Sequence, residues 1–212
     1  FRSFDKTQDP ELLRLMLLHN HDDLVGMSRL LPLAAYHMLA DGSFTSVRSC
    51  SLHFDSPDCV PALEITVLLD APLPAPLSLS LFSDEVPFSG GCVCSMIVKN
   101  STATLTFPGL SGELKYFFPD YKNYCYLPLE DQAIHKSVAS YIDKEYRVPA
   151  KAATCYTRKS GIFYWQPQPL LSPDFRASFV AKAHFFEYSE KFSHQPYLLH
   201  PLVQCCFERF FL

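Results

Sequence analysis

Few residues in this chain have both the type and the spacing for chemistry. His19 and Asp23 are the first, inside the run His19-Asn20-His21-Asp22-Asp23-Leu24. Four residues apart, they share one helix face. Nucleases that use two metal ions need carboxylates to hold those ions about 4 Å apart, plus a group that orients the attacking water. A His one turn before an Asp meets part of that need. The same residues also fit a helix N-terminus, where Asp22 and Asp23 would balance the helix dipole. Asp131 and His135 are again four apart and fit a metal pair or an exposed helix contact. Cys92-x-Cys94 and Cys205-Cys206 lack the Cys-x2-Cys knuckle spacing of structural zinc. No spacing supports a catalytic Cys155–His135 pair.

A second kind of chemistry is suggested by residues 115–160. They hold eight Lys or Arg against five Asp or Glu, a local charge of +3 in a chain of net charge −4. Lys115, Lys122, Lys136, Arg147, Arg158 and Lys159 are interleaved with Tyr116, Phe117, Phe118, Tyr121, Tyr124, Tyr126 and Tyr156. Cations track phosphates, and aromatic faces stack on unpaired bases. Lys115, Lys122, Tyr124, Lys136, Arg147, Arg158 and Lys159 are therefore the candidate nucleic-acid contacts, with single-stranded DNA or RNA as the partner. A solvated basic face over a Tyr-rich core has the same composition.

The elements that must position these residues follow from pattern. Of the 212 residues, 48% are hydrophobic and 14% aromatic, which excludes a disordered chain. The segment Val60–Phe82 is broken by Glu64, Asp70 and prolines, so no membrane span is expected. Eight cysteines in a chain of this size, with no visible signal peptide, are read as reduced thiols of a cytoplasmic protein. Residues 9–39 read as helical, opening on an Asp9 cap with Pro10 at the first position and interrupted near Pro32. Residues 41–47 read as a linker. Six strands are predicted over 49–54, 63–69, 77–82, 93–98, 102–107 and 113–118, with a hairpin turn at Lys99-Asn100-Ser101. Ile134, Val138, Tyr141, Ile142 and Tyr146 form one apolar stripe and predict a helix over 130–146. Cys155–Trp165 reads as a hairpin turning near Lys159-Ser160-Gly161, and a short helix is expected near 198–211. The fold class is α+β: terminal helices in 1–40, then an antiparallel β-rich module over 45–212 with one central helix.

The run Leu17-Leu18-His19-Asn20-His21-Asp22-Asp23-Leu24-Val25-Gly26-Met27, with Leu30-Leu31-Pro32, resembles the end of the YprB-type ribonuclease-H-like domain. That bacterial family belongs to the DEDD superfamily of predicted 3'–5' exonucleases. A second stretch, Tyr121 to Ala139, and Ala153-Thr154-Cys155-Tyr156 are similar to the region that follows the nuclease domain in the family. The resemblance implies that Asp23 is the fourth metal-binding carboxylate and that His19 sits beside the scissile phosphate. It implies Mg²⁺ or Mn²⁺ in an intact parent protein and none in this fragment. The family's Asp-x-Glu motif and its second-motif Asp are expected upstream of Phe1, on a missing N-terminal nuclease core. The chain is thus expected to be an inactive fragment of an exonuclease. The alternative is a non-catalytic module that binds nucleic acid or docks a protein.

Overall fold

A computed structural model of the protein describes residues 6–56, 59–86 and 91–211. The first long element, α1 (Pro10–Leu30), begins as its sequence dictates. Asp9 accepts a hydrogen bond from the Glu11 amide at 2.9 Å, and Pro10 sits where its missing N–H costs nothing. Glu11 and Arg14 add a two-pronged ion pair at 2.7 and 2.9 Å. Pro32 falls in a single 3₁₀ turn, Leu31–Leu33, and α2 (Ala34–Ala40) follows. The predicted interruption is therefore a turn between two helices.

Five strands then build an antiparallel sheet: β1 (Phe44–His53), β2 (Ala62–Leu69), β3 (Leu77–Phe82), β4 (Cys92–Lys99) and β5 (Thr102–Phe107). Their spatial order is β1-β2-β5-β4-β3. Alternation fixes the faces. Leu63, Ile65, Val67 and Leu69 of β2 point into the core, as do Ala103, Leu105 and Phe107 of β5. The β4–β5 hairpin turns on Asn100, whose φ of 54° is one that Asn tolerates.

Leu110–Phe117 forms β6 and opens a second layer. A small three-stranded sheet follows, made of β7 (Tyr124–Leu127), β8 (Gln132–His135) and β9 (Val148–Pro149) in the order β8-β7-β9, with α3 (Lys136–Ala139) after β8. The chain returns in β10 (Tyr156–Gln166), β11 (Phe175–Arg176) and β12 (His184–Glu187). These three strands close a ring with β6, in the order β10-β12-β11-β6. Two helices, α4 (Glu190–His194) and α5 (His200–Phe210), end the described chain.

Three expectations are corrected here. Residues 41–47 are not a linker throughout, because β1 already begins at Phe44 and pairs with β2. Residues 130–146 are not a helix. Asp131 adopts a left-handed φ of 50°, and Gln132–His135 pair with β7. Only Lys136–Ala139 is α-helical, and Tyr141 in the supposed buried stripe is 92% exposed. The β7 ladder outcompetes a helical register that had nothing to bury against. Nor is Cys155–Trp165 a hairpin. Residues 156–163 pair without interruption with Phe117–Leu110 of β6, so Gly161 lies mid-strand opposite Gly112.

One main core joins both β-layers to the flanking helices. Leu39 of α2, Ile65, Phe107, Phe163, Tyr164, Phe186, and Leu202 and Phe207 of α5 are all fully buried in it. A smaller core of Ala133, Ala150 and Cys155 lies under Phe118, Tyr124 and Tyr126. In contrast, α1 buries none of its residues, and Leu17, Leu24, Met27 and Leu30 stand more than half exposed. The architecture is α+β with antiparallel sheets. Among the described residues no helix is long and apolar enough to cross a membrane.

Candidate catalytic helix and nucleic-acid interface

Helical geometry brings His19 and Asp23 together on α1. His19 Nε2 lies 3.5 Å from Asp23 Oδ2, with side chains 78% and 57% exposed. The pair is open to solvent and free to meet another surface. Asp23 can contribute one carboxylate to a hard cation, and His19 can hold or give up a proton beside it. Mg²⁺ asks for near-octahedral oxygen ligation, which a single carboxylate does not fill. Among the described residues no trio of His, Cys, Asp or Glu converges as a metal site.

The structure divides the basic residues. Lys115 and Arg158 face each other across the β6–β10 pair. Lys159 leaves the opposite face of β10 and pairs with Glu187. Lys115 Nζ sits 4.0 Å above the Tyr156 ring. Arg158 reaches Glu113 at 3.6 Å and donates to the Glu130 carbonyl at 3.0 Å. Lys122 precedes β7 and Lys136 follows β8, so both flank the end of the small sheet where Tyr124 opposes His135. Arg147 precedes β9 at the other end of that sheet. Tyr124 is half-buried and stacks on Phe118 at 4.5 Å.

Asp131 and His135 do not share a helix face. The Asp131 carboxylate accepts hydrogen bonds from the Tyr126 hydroxyl, at 2.6 Å, and from the Tyr156 hydroxyl. These two donors hold its carboxyl below the usual range, helped by Lys115 and Arg158. In return, the Asp131 hydrogen bond lifts the Tyr126 phenol to about 12. His135 caps α3, accepting from the Ser137 amide. The Cys155 thiol is buried and pushed up by that burial and by Asp120, the reverse of what a nucleophile needs. Cys94 is likewise pushed up by burial, beside Cys206 and Cys92.

No family model, curated protein or solved structure matches this chain.

One group of residues escaped the sequence reading. Arg176 donates to the Phe179 carbonyl at 3.1 Å, and its guanidinium lies over Phe117 and Phe179 at 4.9 and 5.7 Å. Behind it, Asp174 accepts from His184 at 2.9 Å and from the fully buried Gln166 at 3.0 Å. Arg176 lies outside the basic stretch and belongs to a two-residue strand, so neither composition nor alternation marks it.

Proposed function

We propose that this chain is the C-terminal part of a metal-dependent nucleic-acid exonuclease of the ribonuclease-H-like DEDD type. In this reading α1 is the last helix of the nuclease domain. Asp23 supplies one metal-binding carboxylate, and His19 positions water or a proton beside the scissile phosphate. The observation that carries the reading is the His19–Asp23 pair at 3.5 Å on a helix that buries nothing of its own. A helix with Leu17, Leu24, Met27 and Leu30 exposed has the surface of one that seats against a further body. Mg²⁺ or Mn²⁺ would be held by Asp23 together with carboxylates from outside these residues. The ion would supply charge stabilisation at the phosphate.

The test is cleavage of an end-labelled single strand by the full gene product with Mg²⁺ or Mn²⁺. Asp23→Asn and His19→Ala should each slow it by about 10²-fold or more. The 212-residue chain alone should not cleave. Wild-type rates in Asp23→Asn would overturn the assignment.

A second reading is favoured by the interleaving of Lys115, Arg158 and Arg176 with aromatic rings. It makes the β-rich part a nucleic-acid-binding module, with or without a nuclease beside it.

A further inference from the structure

Lys115 stands opposite Arg158 on β10 and opposite Arg176 on β11. Directly opposed residues of antiparallel strands project from the same face. Three cations therefore form one transverse row across three strands. With strands about 4.8 Å apart, the row spans roughly 10 Å. Two residues along β6, Phe117 opposes Tyr156 on the same face, with ring centroids 5.4 Å apart. Phe179 extends that second row, 5.6 Å from Phe117.

Like charges directly opposite one another are unfavourable, so the row needs compensation. The compensation within the chain is loose. Arg158 meets Glu113 at 3.6 Å and Arg176 meets Asp174 at 3.8 Å, both well beyond a charge-assisted hydrogen bond of about 2.8 Å. Lys115 has no carboxylate within ion-pair distance among the described residues and rests on the Tyr156 ring. Arg176 Nε, the atom that faces Asp174, is buried without a hydrogen-bond partner. Asp131, whose carboxyl Lys115 and Arg158 help hold low, offsets part of this charge, but among the described residues no carboxylate makes a close ion pair with the row.

We propose that this two-row face binds single-stranded nucleic acid. Phosphates lie along Arg158, Lys115 and Arg176, and unpaired bases stack on Phe179 and the edge of Phe117. Paired bases cannot offer their faces to those rings, which is why the partner is a single strand. The proposal rests on the binding reading above and does not need the nuclease. It retains two of the cations and one of the aromatics of the basic stretch, Phe117, and adds Arg176 and Phe179.

The experiment is fluorescence anisotropy of a labelled thymidine oligonucleotide with the 212-residue chain across a salt series, with a duplex of equal length beside it. Phe179→Ala and Arg158→Gln alter exposed side chains, and circular dichroism checks their folding. Each should weaken single-strand binding about tenfold. Arg158→Gln should also reduce the salt slope by about one. The variant Lys99→Gln, at an exposed position in the β4–β5 hairpin of the five-stranded sheet, should change affinity less than about twofold. No binding at low salt, equal affinity for the duplex, or a larger loss in Lys99→Gln than in Phe179→Ala would overturn the proposal. Binding here without cleavage by the full gene product would sink only the nuclease reading. Cleavage there without binding here would sink only this one.

Discussion

Two phenols converge on the Asp131 carboxylate. Its lowered pKa carries a sign for stability. A carboxylate whose folded pKa is depressed stabilises fully above the ordinary aspartate value of about 4, and that contribution drains away as pH falls below it. Tyr126 works in the other direction. Its phenol, raised to about 12, stabilises fully below the ordinary tyrosine value of about 10 and loses that contribution as pH climbs between the two. Asp131→Asn should therefore flatten the acid limb of a stability–pH curve. It should also bring one tyrosine back toward ordinary ionisation, read by tyrosinate absorbance. An unchanged titration would mean that Asp131 is not the cause. Among the thiols, exposed Cys59 should react first with a thiol reagent, and buried Cys94, Cys155 and Cys206 only after unfolding. At this scale the sequence was legible only where partners are local. His19 and Asp23 meet because helical pitch brings residues four apart together. Asp131 meets Tyr156 only because the β7–β8 hairpin lies against β10, which no local spacing announces.

Elements whose side chains alternate between core and solvent were readable. The six strands ending in β6 were expected near their observed places, because each alternates or is nearly continuous in apolar residues and is bounded by turn chemistry. The Asn100 hairpin was readable for the same reason. The stripe over 130–146 misled because apolar spacing reports a helix only if something covers it, and Val138 and Tyr141 are open to solvent. The mid-strand Gly161 looked like a turn because Gly punctuates loops more often than strands. At the end of β10, the Gln166 side chain ties down the link to β11. It accepts from the Leu170 and Leu171 amides and donates toward Asp174 while fully buried. Gln166→Ala should cost about 1–3 kcal/mol in denaturant unfolding by orphaning those amides. Gly109, in the short link from β5 to β6, faces the Pro61 carbonyl so closely that a Cβ would lie 2.4 Å from it. Gly109→Ala should destabilise by roughly 1–3 kcal/mol, since the obstacle is backbone. A neutral result would show that the two sheets can slide apart at that link.

The whole molecule divides into a packed body and a projecting helix. The body runs from α2 to α5 around one main core and a smaller one at the three-stranded sheet, while among the described residues α1 touches little beyond the turn that follows it. Amide exchange should be fast along α1 and slow in β2, β4 and β5, whose inward side chains are fully buried. Removing residues 1–30 should leave the unfolding transition of the body nearly unchanged. A large loss would mean that α1 packs on the body in solution. Phe207→Ala, at the heart of that body, should cost about 3–5 kcal/mol.

The closed ring of β6, β10, β12 and β11 also bears on how the chain survives its own composition. Ile162-Phe163-Tyr164-Trp165 and Phe185-Phe186 are uncharged, strongly β-forming stretches of the kind that assemble into fibrils when a strand edge is left open. Here Phe163 is paired on both sides, by Leu110 of β6 and Glu187 of β12, and Phe185 by Trp165 of β10 and Phe175 of β11, so the ring offers no strand edge at either position. The weak seam is β11, only two residues long. Conditions that peel it away would expose β6 and β12 together and turn the most aromatic part of the protein into a template for aggregation.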